Sequence, residues 1–366
     1  MRHTLPPGWE EKKLGELCDV LDFRRKPITR KDRTRGLYPY YGATGIVDFI
    51  DSFLFDEPLL LVGEDGARWG SGEPCAFIAS GKYWVNNHAH VLKPKNCMSM
   101  QYLVYFLNYS DLTPYITGTT VLKLNQQKLR SISVPSPSLP EQKRIVEKLD
   151  KIFAAIDKAK SQTEKNLQNA KDVFSSYLNN IFNHPAHNWE EKKLGELCDV
   201  LDFRRKPITR KDRTRGLYPY YGATGIVDFI DSFLFDEPLL LVGEDGARWG
   251  SGEPCAFIAS GKYWVNNHAH VLKPKNCMSM QYLVYFLNYS DLTPYITGTT
   301  VLKLNQQKLR SISVPSPSLP EQKRIVEKLD VLQSKTQELE KIYTQKLKDL
   351  EELKQAVLQQ AFSGKL

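Results

Sequence analysis

The segment LPEQKRIVEKLD occurs twice, at residues 139–150 and 319–330, and in both places it opens a long amphipathic stretch. Proline followed by glutamate favours a helix start, because proline lacks only an N–H that has no partner in the first turn. The chain is therefore predicted to run domain, helix, domain, helix. The predicted boundaries give domains at residues 1–138 and 185–318 and helices at 139–184 and 319–366.

The repeat extends well beyond this segment. Residues 9–150 recur without a single change as residues 189–330, at an offset of 180. A repeat of this length is a whole domain, whereas solenoid repeats span about 20 to 50 residues. The identity ends inside the two amphipathic stretches, whose continuations differ in sequence but keep the same period.

Both stretches carry apolar residues at alternating steps of four and three, the heptad spacing of a coiled-coil seam. About 42 residues at 1.5 Å per residue predict helices of roughly 60 Å. We expect the two helices to pair as an antiparallel coiled coil. The alternative is that each packs only on its own domain. The candidate seam residues are Ile145, Leu149, Ile152, Ile156, Ile325, Leu329, Leu332, Leu339, Leu350, Leu353 and Val357.

Within the repeated module, short apolar runs such as GIVDFI and PLLLVG are broken by Gly, Pro and Asp, which is typical of strands and turns. One helix is predicted at residues 100–109. The predicted fold class is α+β, with two repeated mixed-sheet domains separated by two long helices that form an antiparallel coiled coil.

Positive charge is concentrated at residues 24–35, RRKPITRKDRTR, and is followed by the aromatic run LYPYYG. Cations beside aromatic rings suit phosphate neutralisation together with base or sugar contacts. The alternative is a solvated surface loop. The candidate DNA-binding residues here are Arg24, Arg25, Lys26, Arg30, Lys31, Arg33, Arg35, Tyr40 and Tyr41, with Arg204, Arg205, Lys206, Arg210, Lys211, Arg213, Arg215, Tyr220 and Tyr221 in the second copy.

Two further loops supply weaker candidates. GEDGARWGSG at residues 63–72 offers backbone donors, and the turn GTTVLKLNQQKL begins at Gly118. Their candidate nucleic-acid-binding residues are Arg68, Trp69, Thr119 and Lys123, with Arg248, Trp249, Thr299 and Lys303 in the second copy. His88 and His90 share one face of a predicted strand, and with no third ligand nearby we interpret them as structural, so that no metal site is predicted.

Composition excludes several classes of protein. The formal charge of +8 permits a polyanionic partner without requiring one. No stretch has the length and apolarity of a membrane span, and the N-terminal residues lack a signal-peptide core, so a cytoplasmic protein is expected. The six cysteines are three positions counted twice, without zinc-ligand spacing. G-x-S-x-G, HExxH, phosphate-loop and adenine-methyltransferase signatures are absent from the sequence, so a non-catalytic binding role is predicted.

Taken together, YPYYGATGIVDF, LLLVGEDGA, YWVNNHAHVLKP, GTTVLKLNQQKL, ISVPSPSLPEQ and the ending LKQAVLQQAFSGKL resemble the specificity subunit of type I restriction-modification enzymes. The resemblance runs along the whole chain. It implies two target recognition domains, each reading half of a split site in double-stranded DNA, and two helices that separate them. It also implies docking of two methyltransferase (M) subunits and, through them, restriction (R) subunits.

The resemblance further implies that this chain binds no cofactor, with S-adenosylmethionine on the methyltransferase and ATP with Mg on the restriction partner. The chain departs from most members of the family because its two modules are identical. Antiparallel helices relate such modules by an approximate two-fold axis, which predicts a split palindromic site. The alternative functions are a stand-alone tandem DNA-binding regulator and an architectural coiled-coil scaffold.

Overall fold

The computed structural model describes residues 5–184 and 189–366. The chain forms two compact units, Met1–Glu164 with Gln345–Leu366, and Lys165–Thr344. Each unit holds one copy of the module, the first part of the long helix that follows it and the last part of the other long helix. The boundary between the two units therefore falls inside each long helix. The boundaries predicted from the sequence assign each helix to a single segment and stay predictions.

The first module is built from short strands with little helix. Its strands are β1 (Glu10–Lys13), β2 (Cys18–Val20), β3 (Arg35–Gly42), β4 (Gly45–Ile50), β5 (Phe55–Asp56), β6 (Leu59–Gly63), β7 (Ala76–Ala79), β8 (Lys82–Val85), β9 (Ala89–Pro94) and β10 (Ser133–Ser136). Its helices are α1 (Leu14–Leu17), α2 (Met100–Tyr109) and α3 (Gln126–Arg130), followed by the long α4 (Leu139–Asn183).

The second module repeats these elements. Its strands are β11 (Glu190–Lys193), β12 (Cys198–Val200), β13 (Arg215–Gly222), β14 (Gly225–Ile230), β15 (Phe235–Asp236), β16 (Leu239–Gly243), β17 (Ala256–Ala259), β18 (Lys262–Val265), β19 (Ala269–Pro274) and β20 (Ser313–Ser316). Its helices are α5 (Leu194–Leu197), α6 (Met280–Tyr289) and α7 (Gln306–Ser311), followed by the long α8 (Leu319–Phe362).

Each module contains two four-stranded sheets. In the first module their orders are β2-β9-β6-β7 and β4-β3-β8-β5, and β1 pairs with β10 as a separate ribbon. All pairings are antiparallel except β3 with β8. Strand β6 is buried along its whole length, and its side chains alternate between two cores because the strand period is two. Leu60 and Val62 pack with α2, whereas Leu59 and Leu61 pack with Tyr83.

The two long helices pack together, as the sequence predicted. In the first unit, Arg144 Nη2 of α4 donates to the backbone oxygen of Leu366 at 3.0 Å, and Lys354 Nζ of α8 lies 5.2 Å from the ring centroid of Phe153. Moving forward along α4 therefore means moving backward along α8, so the pair is antiparallel. In the second unit, Leu178 of α4 shares a core with Leu329 of α8. Among the described residues, no helix is long and apolar enough to cross a membrane.

The buried face of α8 departs from the predicted seam at two positions after Thr336. Ile325, Leu329 and Val357 are buried, whereas Leu339 and Leu353 are 40% and 48% exposed. Partly or fully buried positions continue at Glu340, Tyr343, Leu347, Leu350 and Lys354. Two successive steps of four, 332 to 336 to 340, move the contacts predicted at Leu339 and Leu353 forward by one residue, to 340 and 354, while Leu350 and Val357 keep their predicted places. An undistorted helix of 3.6 residues per turn favours such a shift over a strict seven-residue repeat.

The predicted fold class is confirmed, and the predicted helix at residues 100–109 coincides with α2. Two segments next to the basic cluster take a defined structure. The segment VLDF leaves strand β2 and ends in the 3₁₀ turn Asp22–Arg24. The aromatic run LYPYYG lies in strand β3, where Tyr, Pro and Tyr pair with β4.

Candidate nucleic-acid interface

The basic segment of residues 24–35 is held in place by the sheet beneath it. The hydroxyl of Tyr40 in β3 accepts a hydrogen bond from the N–H of Ile28 at 2.9 Å. The indole of Trp84 in β8 donates to the carbonyl of Lys26 at 2.5 Å. A further 3₁₀ turn, Arg30–Asp32, follows. The segment is therefore a structured surface element whose backbone is fixed at several points.

The cations of this segment fall into two groups. Arg33 is tied down, because its guanidinium lies 3.0 Å from Asp48 Oδ2 and 4.4 Å from the ring centroid of Tyr40. Arg24 pairs with Glu57 at 3.2 Å, although its side chain stays 38% exposed. Arg25 is largely buried among acidic side chains. The exposed cations, which are available to a phosphate backbone, are Lys26, Arg30, Lys31 and Arg35.

The aromatic candidates are mostly interior. Tyr40 is 1% exposed and Trp69 is 6% exposed. The indole of Trp69 donates to the carbonyl of Gly63 at 3.1 Å and so stabilises the loop of residues 63–72 from within. Tyr41 is half-buried beside Phe77, with ring centroids 5.6 Å apart. Arg68 next to Trp69 has an 83% exposed side chain. A DNA contact by Tyr40 or Trp69 stays a prediction and requires local rearrangement, whereas Arg68 is accessible as it stands.

Beneath the basic segment lies a cluster of buried and half-buried charges, which we call the ion hub. Its members come from four separate parts of the module and were not grouped by the sequence. They are Asp22, Arg25, Glu64, Asp65, His88, His90 and Lys123.

His90 is the most deeply buried member of the ion hub, with no exposed surface. Its Nε2 lies 2.6 Å from the carbonyl oxygen of Leu124, which can only accept, and its Nδ1 lies 2.7 Å from Asp22 Oδ2. Burial alone would raise the pKa of Asp22. The hydrogen bond and charge of His90, the N–H of Val91 and the charge of Arg25 outweigh burial and hold that pKa below its ordinary value. Asp22 is thus ionised, and His90 donates from Nε2 to the Leu124 carbonyl while its Nδ1 faces the Asp22 carboxylate.

Three of these side chains have the composition of a metal site, since one ligand atom from each of Asp22, Glu64 and His90 lies within 4.8 Å of the others. The positively charged guanidinium of Arg25 already lies between these carboxylates. Arg25 Nη1 lies 2.5 Å from Glu64 Oε2, and Arg25 Nη2 lies 3.5 Å from Asp22 Oδ2. A divalent ion would have to displace this side chain. The geometry therefore favours the structural interpretation of His90.

The ion hub also anchors the turn that starts after Thr117. The backbone groups of Thr117 and Lys123 exchange two hydrogen bonds of 2.8 Å and close the loop between them. Gly118 has φ +95°, and a Cβ there would lie 2.2 Å from the carbonyl oxygen of Val121, so the turn requires glycine. Lys123 Nζ lies 3.1 Å from Glu64 Oε1. The base of the turn is thus fixed, and Thr119 at its tip is exposed.

Sequence reasoning missed a set of exposed apolar side chains on these same segments. Phe23 is 82% exposed, Leu37 is 88% exposed, and Val121 and Leu122 are 62% and 55% exposed. Each stands next to a cation or a hydroxyl residue, and no periodic pattern marks it. Apolar groups at such positions can contact thymine methyl groups or base edges in a DNA groove.

The second copy reproduces this arrangement. Arg205 pairs with Glu244 at 2.6 Å, and His270 lies 2.7 Å from Asp202. Tyr220 and Trp249 are interior, at 1% and 6% exposed. Arg213 is tied to Asp228, and Lys303 lies 3.0 Å from Asp245. Arg204 pairs with Glu237 at 3.1 Å, as Arg24 does with Glu57. The accessible candidates are Lys206, Arg210, Lys211, Arg215, Arg248 and Thr299, while Tyr221 is half-buried.

Two copies of a mixed-sheet module with exposed cations on a fixed scaffold, together with paired long helices, define a class of repeated binding proteins. The family described as type I restriction modification DNA specificity domain matches residues 6–168 and again residues 186–349. These matches cover most of the chain, and the chain belongs to this family. The resemblance stated from the sequence is confirmed, as is the non-catalytic specificity role.

Known proteins align with this chain along most of their length. The EcoDI specificity subunit of Escherichia coli is 24% identical, with 99% of this chain and 89% of the relative covered. A Haemophilus influenzae protein, provisionally named as a type I restriction enzyme specificity subunit, is 27% identical, with 89% and 88% covered. The fold matches the HsdS subunit from Thermoanaerobacter tengcongensis, at TM-score 0.64 and 18% identity, over 100% of this chain and 99% of that subunit.

Proposed function

We propose that this chain is the DNA-reading subunit of a type I restriction-modification complex and that each module reads one half of a split site in double-stranded DNA. The observation that carries the proposal is the identity of residues 9–150 and 189–330 within a family of DNA specificity domains. Identical modules present identical side chains, so they select identical half-sites. We propose that the two halves are inverted, as expected for modules joined by antiparallel helices.

DNA contact is supported by the exposed cations of the basic segment. Lys26, Arg30, Lys31 and Arg35 project from a backbone that the sheet holds fixed. Such cations position a duplex through its phosphates but carry no sequence information by themselves. Sequence would then be read by neighbouring side chains, for which the exposed Leu37 and the tip of the turn after Gly118 are candidates.

Docking of methyltransferase subunits is supported by an apolar groove in the second unit. The groove is open to solvent and has a volume of about 1070 Å³ between α4 and α8. Its walls include Val173 and Val331, which are 49% and 54% exposed, and the partly buried Tyr177 and Leu332. Exposed apolar surface of this kind marks interaction sites. Two methyltransferase subunits would dock, and restriction subunits would join through them.

In this proposal the chain binds no cofactor of its own. S-adenosylmethionine belongs to the methyltransferase partner, and ATP with Mg belongs to the restriction partner. A cytoplasmic location likewise stays a prediction.

The test is to sequence the sites methylated by the complex assembled from this chain and its methyltransferase. The expected result is one split motif whose two halves are inverted copies, separated by a few unread base pairs. Two different halves, or halves in direct orientation, would contradict the proposal.

Electrophoretic mobility of labelled duplexes, with and without the methyltransferase, separates the alternatives. A subunit of the complex binds its site tightly only with the partner present. A stand-alone regulator binds equally well without it, and an architectural scaffold shifts no DNA in either case.

A further inference from the structure

The ion hub joins the two surface elements that the proposed function brings to DNA. Arg25, at the start of the basic segment, pairs with Glu64 and donates to the carbonyl of Ala89 at 2.8 Å. Lys123, at the base of the turn after Gly118, pairs with the same Glu64. One carboxylate therefore holds both elements, although they are about a hundred positions apart in the sequence.

His90 contacts both elements as well. Its Nδ1 contacts Asp22, the first residue of the 3₁₀ turn Asp22–Arg24, and the N–H of the next residue, Val91, donates to Asp22 Oδ1 at 2.9 Å. Through the carbonyl of Leu124 it holds the residue that follows Lys123. Its side chain is fully buried, so His90 itself cannot touch DNA.

We propose that His90, and His270 in the second copy, are positioning residues that set the geometry between the basic segment and the turn after Gly118. Discrimination between DNA sequences by a module then depends on the imidazole, while phosphate attraction does not. The inference rests on the proposed function. Arg30, Lys31 and Arg35 are exposed, whereas His90 is fully buried, so electrostatic attraction persists when the imidazole is replaced.

Each acidic side chain around His90 has a basic or imidazole partner. Asp22 and Glu64 face Arg25, Glu64 and Asp65 face Lys123, and the imidazoles of His90 and His88 contact Asp22 and Asp65. Removing one buried partner leaves the opposite charge uncompensated, which is the costly change in such a cluster. Replacing His90 with Gln should therefore be partly rescued by replacing Asp22 with Asn.

The test introduces His90→Gln into the first module of the full chain and leaves the second module unchanged. The assembled methyltransferase complex is given a duplex library with randomised sequence, and the methylated products are sequenced. The expected result is relaxation of one half-site by at least tenfold in selectivity, with the other half-site unaffected. Affinity for a random duplex and its salt dependence should stay at the wild-type level, and the added Asp22→Asn change should restore part of the selectivity.

The matched control is Gln142→Leu. Gln142 is also fully buried and bonds to the backbone of Ser99 and Pro137, but it lies at the start of α4, away from both elements. It should lower the melting temperature without relaxing either half-site. If both variants relax half-site selectivity equally, His90 contributes only to general stability and the inference is overturned. Unchanged half-site selectivity of the His90→Gln variant would also overturn it.

A measurement without DNA distinguishes failure of the anchoring role from failure of the proposed function. In the His90→Gln and His270→Gln double variant, the amides of Lys123 and Leu124 should exchange hydrogen at least tenfold faster than in the wild type. Wild-type exchange rates in the variant would overturn the anchoring role whether or not the chain binds DNA. If anchoring holds but the wild-type complex selects no DNA sequence, the proposed function fails instead.

Discussion

The ring of Phe362, near the end of α8, stacks on the ring of Tyr109 in the first module, with centroids 5.5 Å apart and planes 23° apart. Phe362 also meets Tyr102 and Phe106 edge-on. In the second unit, Phe182 near the end of α4 occupies the same place against Tyr282 and Phe286. Each module is thus completed by the end of the helix that follows the other module.

Replacing Phe362 with Ala should destabilise the first unit by about 3 to 5 kcal/mol, because a buried aromatic side chain is lost and a cavity remains. The change is measured by denaturant unfolding, together with hydrogen exchange in peptides from residues 151–183 and 331–362, where the sequences of α4 and α8 differ. Phe182→Ala is the matched control and should loosen residues 165–183 and 331–344 instead. Equal effects of the two variants on both sets of peptides would contradict this division.

Replacing Arg30, Lys31 and Arg35 together with Ala should weaken DNA binding on all sequences. The slope of log affinity against log salt should become shallower by about 0.9 for each phosphate that is no longer neutralised. Titrations of the assembled complex between low and moderate salt measure this slope. A control triple, Lys151, Lys158 and Lys160 to Ala, removes the same charge from the exposed side of α4. An equal reduction of affinity in the control would assign the effect to net charge.

Replacing Val331 with Glu should prevent stable association with the methyltransferase, since it places a charge in the apolar groove of the second unit. Co-purification of the two proteins measures the outcome. Leu339→Glu is the control, because Leu339 is a similarly exposed apolar residue of α8 outside that groove. If the Val331→Glu variant still associates normally with the methyltransferase, the groove is not part of the docking surface.

Thiol chemistry should divide the six cysteines into two groups. Cys97 and Cys277 are exposed, whereas Cys18, Cys75, Cys198 and Cys255 are buried. At pH 8 two thiols per chain should react quickly with a disulfide reagent, and the other four only after unfolding. A count of more than two fast thiols in the folded protein would contradict the structure.

Alkaline pH should also destabilise the fold through these groups. Burial raises the pKa of the Cys18, Cys75, Cys198 and Cys255 thiols to about 12, above the ordinary value of 9.0. A raised folded-state pKa means that the stabilisation is complete below pH 9.0 and is lost as the pH rises toward 12. Unfolding free energies of a Cys75→Ala and Cys255→Ala variant should therefore decline less steeply over that range.

Periodicity and repetition were sufficient to predict the architecture. The duplicated LPEQKRIVEKLD, the α2 helix and most strands follow from local patterns, and the structure has them where predicted. The shift of the α8 face after Thr336 was not predictable, because Leu339 and Leu353 satisfy the heptad as well as the observed positions do. Tertiary packing decided between two nearly equivalent faces.

The candidate site was predicted less completely. The concentration of Lys and Arg at residues 24–35 was enough to predict the basic segment. It does not distinguish Arg30, which is exposed, from Arg25, which is buried against Glu64. That distinction depends on residues 39 and more positions away. Likewise, the side-chain partners of His90 come from distant segments, and only the fold brings them together.

The sharing of helix ends has a consequence for the order in which the protein matures on the ribosome. All pieces of the second unit lie in one continuous stretch, Lys165–Thr344, whereas the first unit needs Gln345–Leu366, which is synthesised after the whole second unit. The first module therefore emerges early but waits for Phe362 to cover Tyr102, Phe106 and Tyr109. The second module, though translated later, can finish folding first, which reverses the usual order in which successive domains mature.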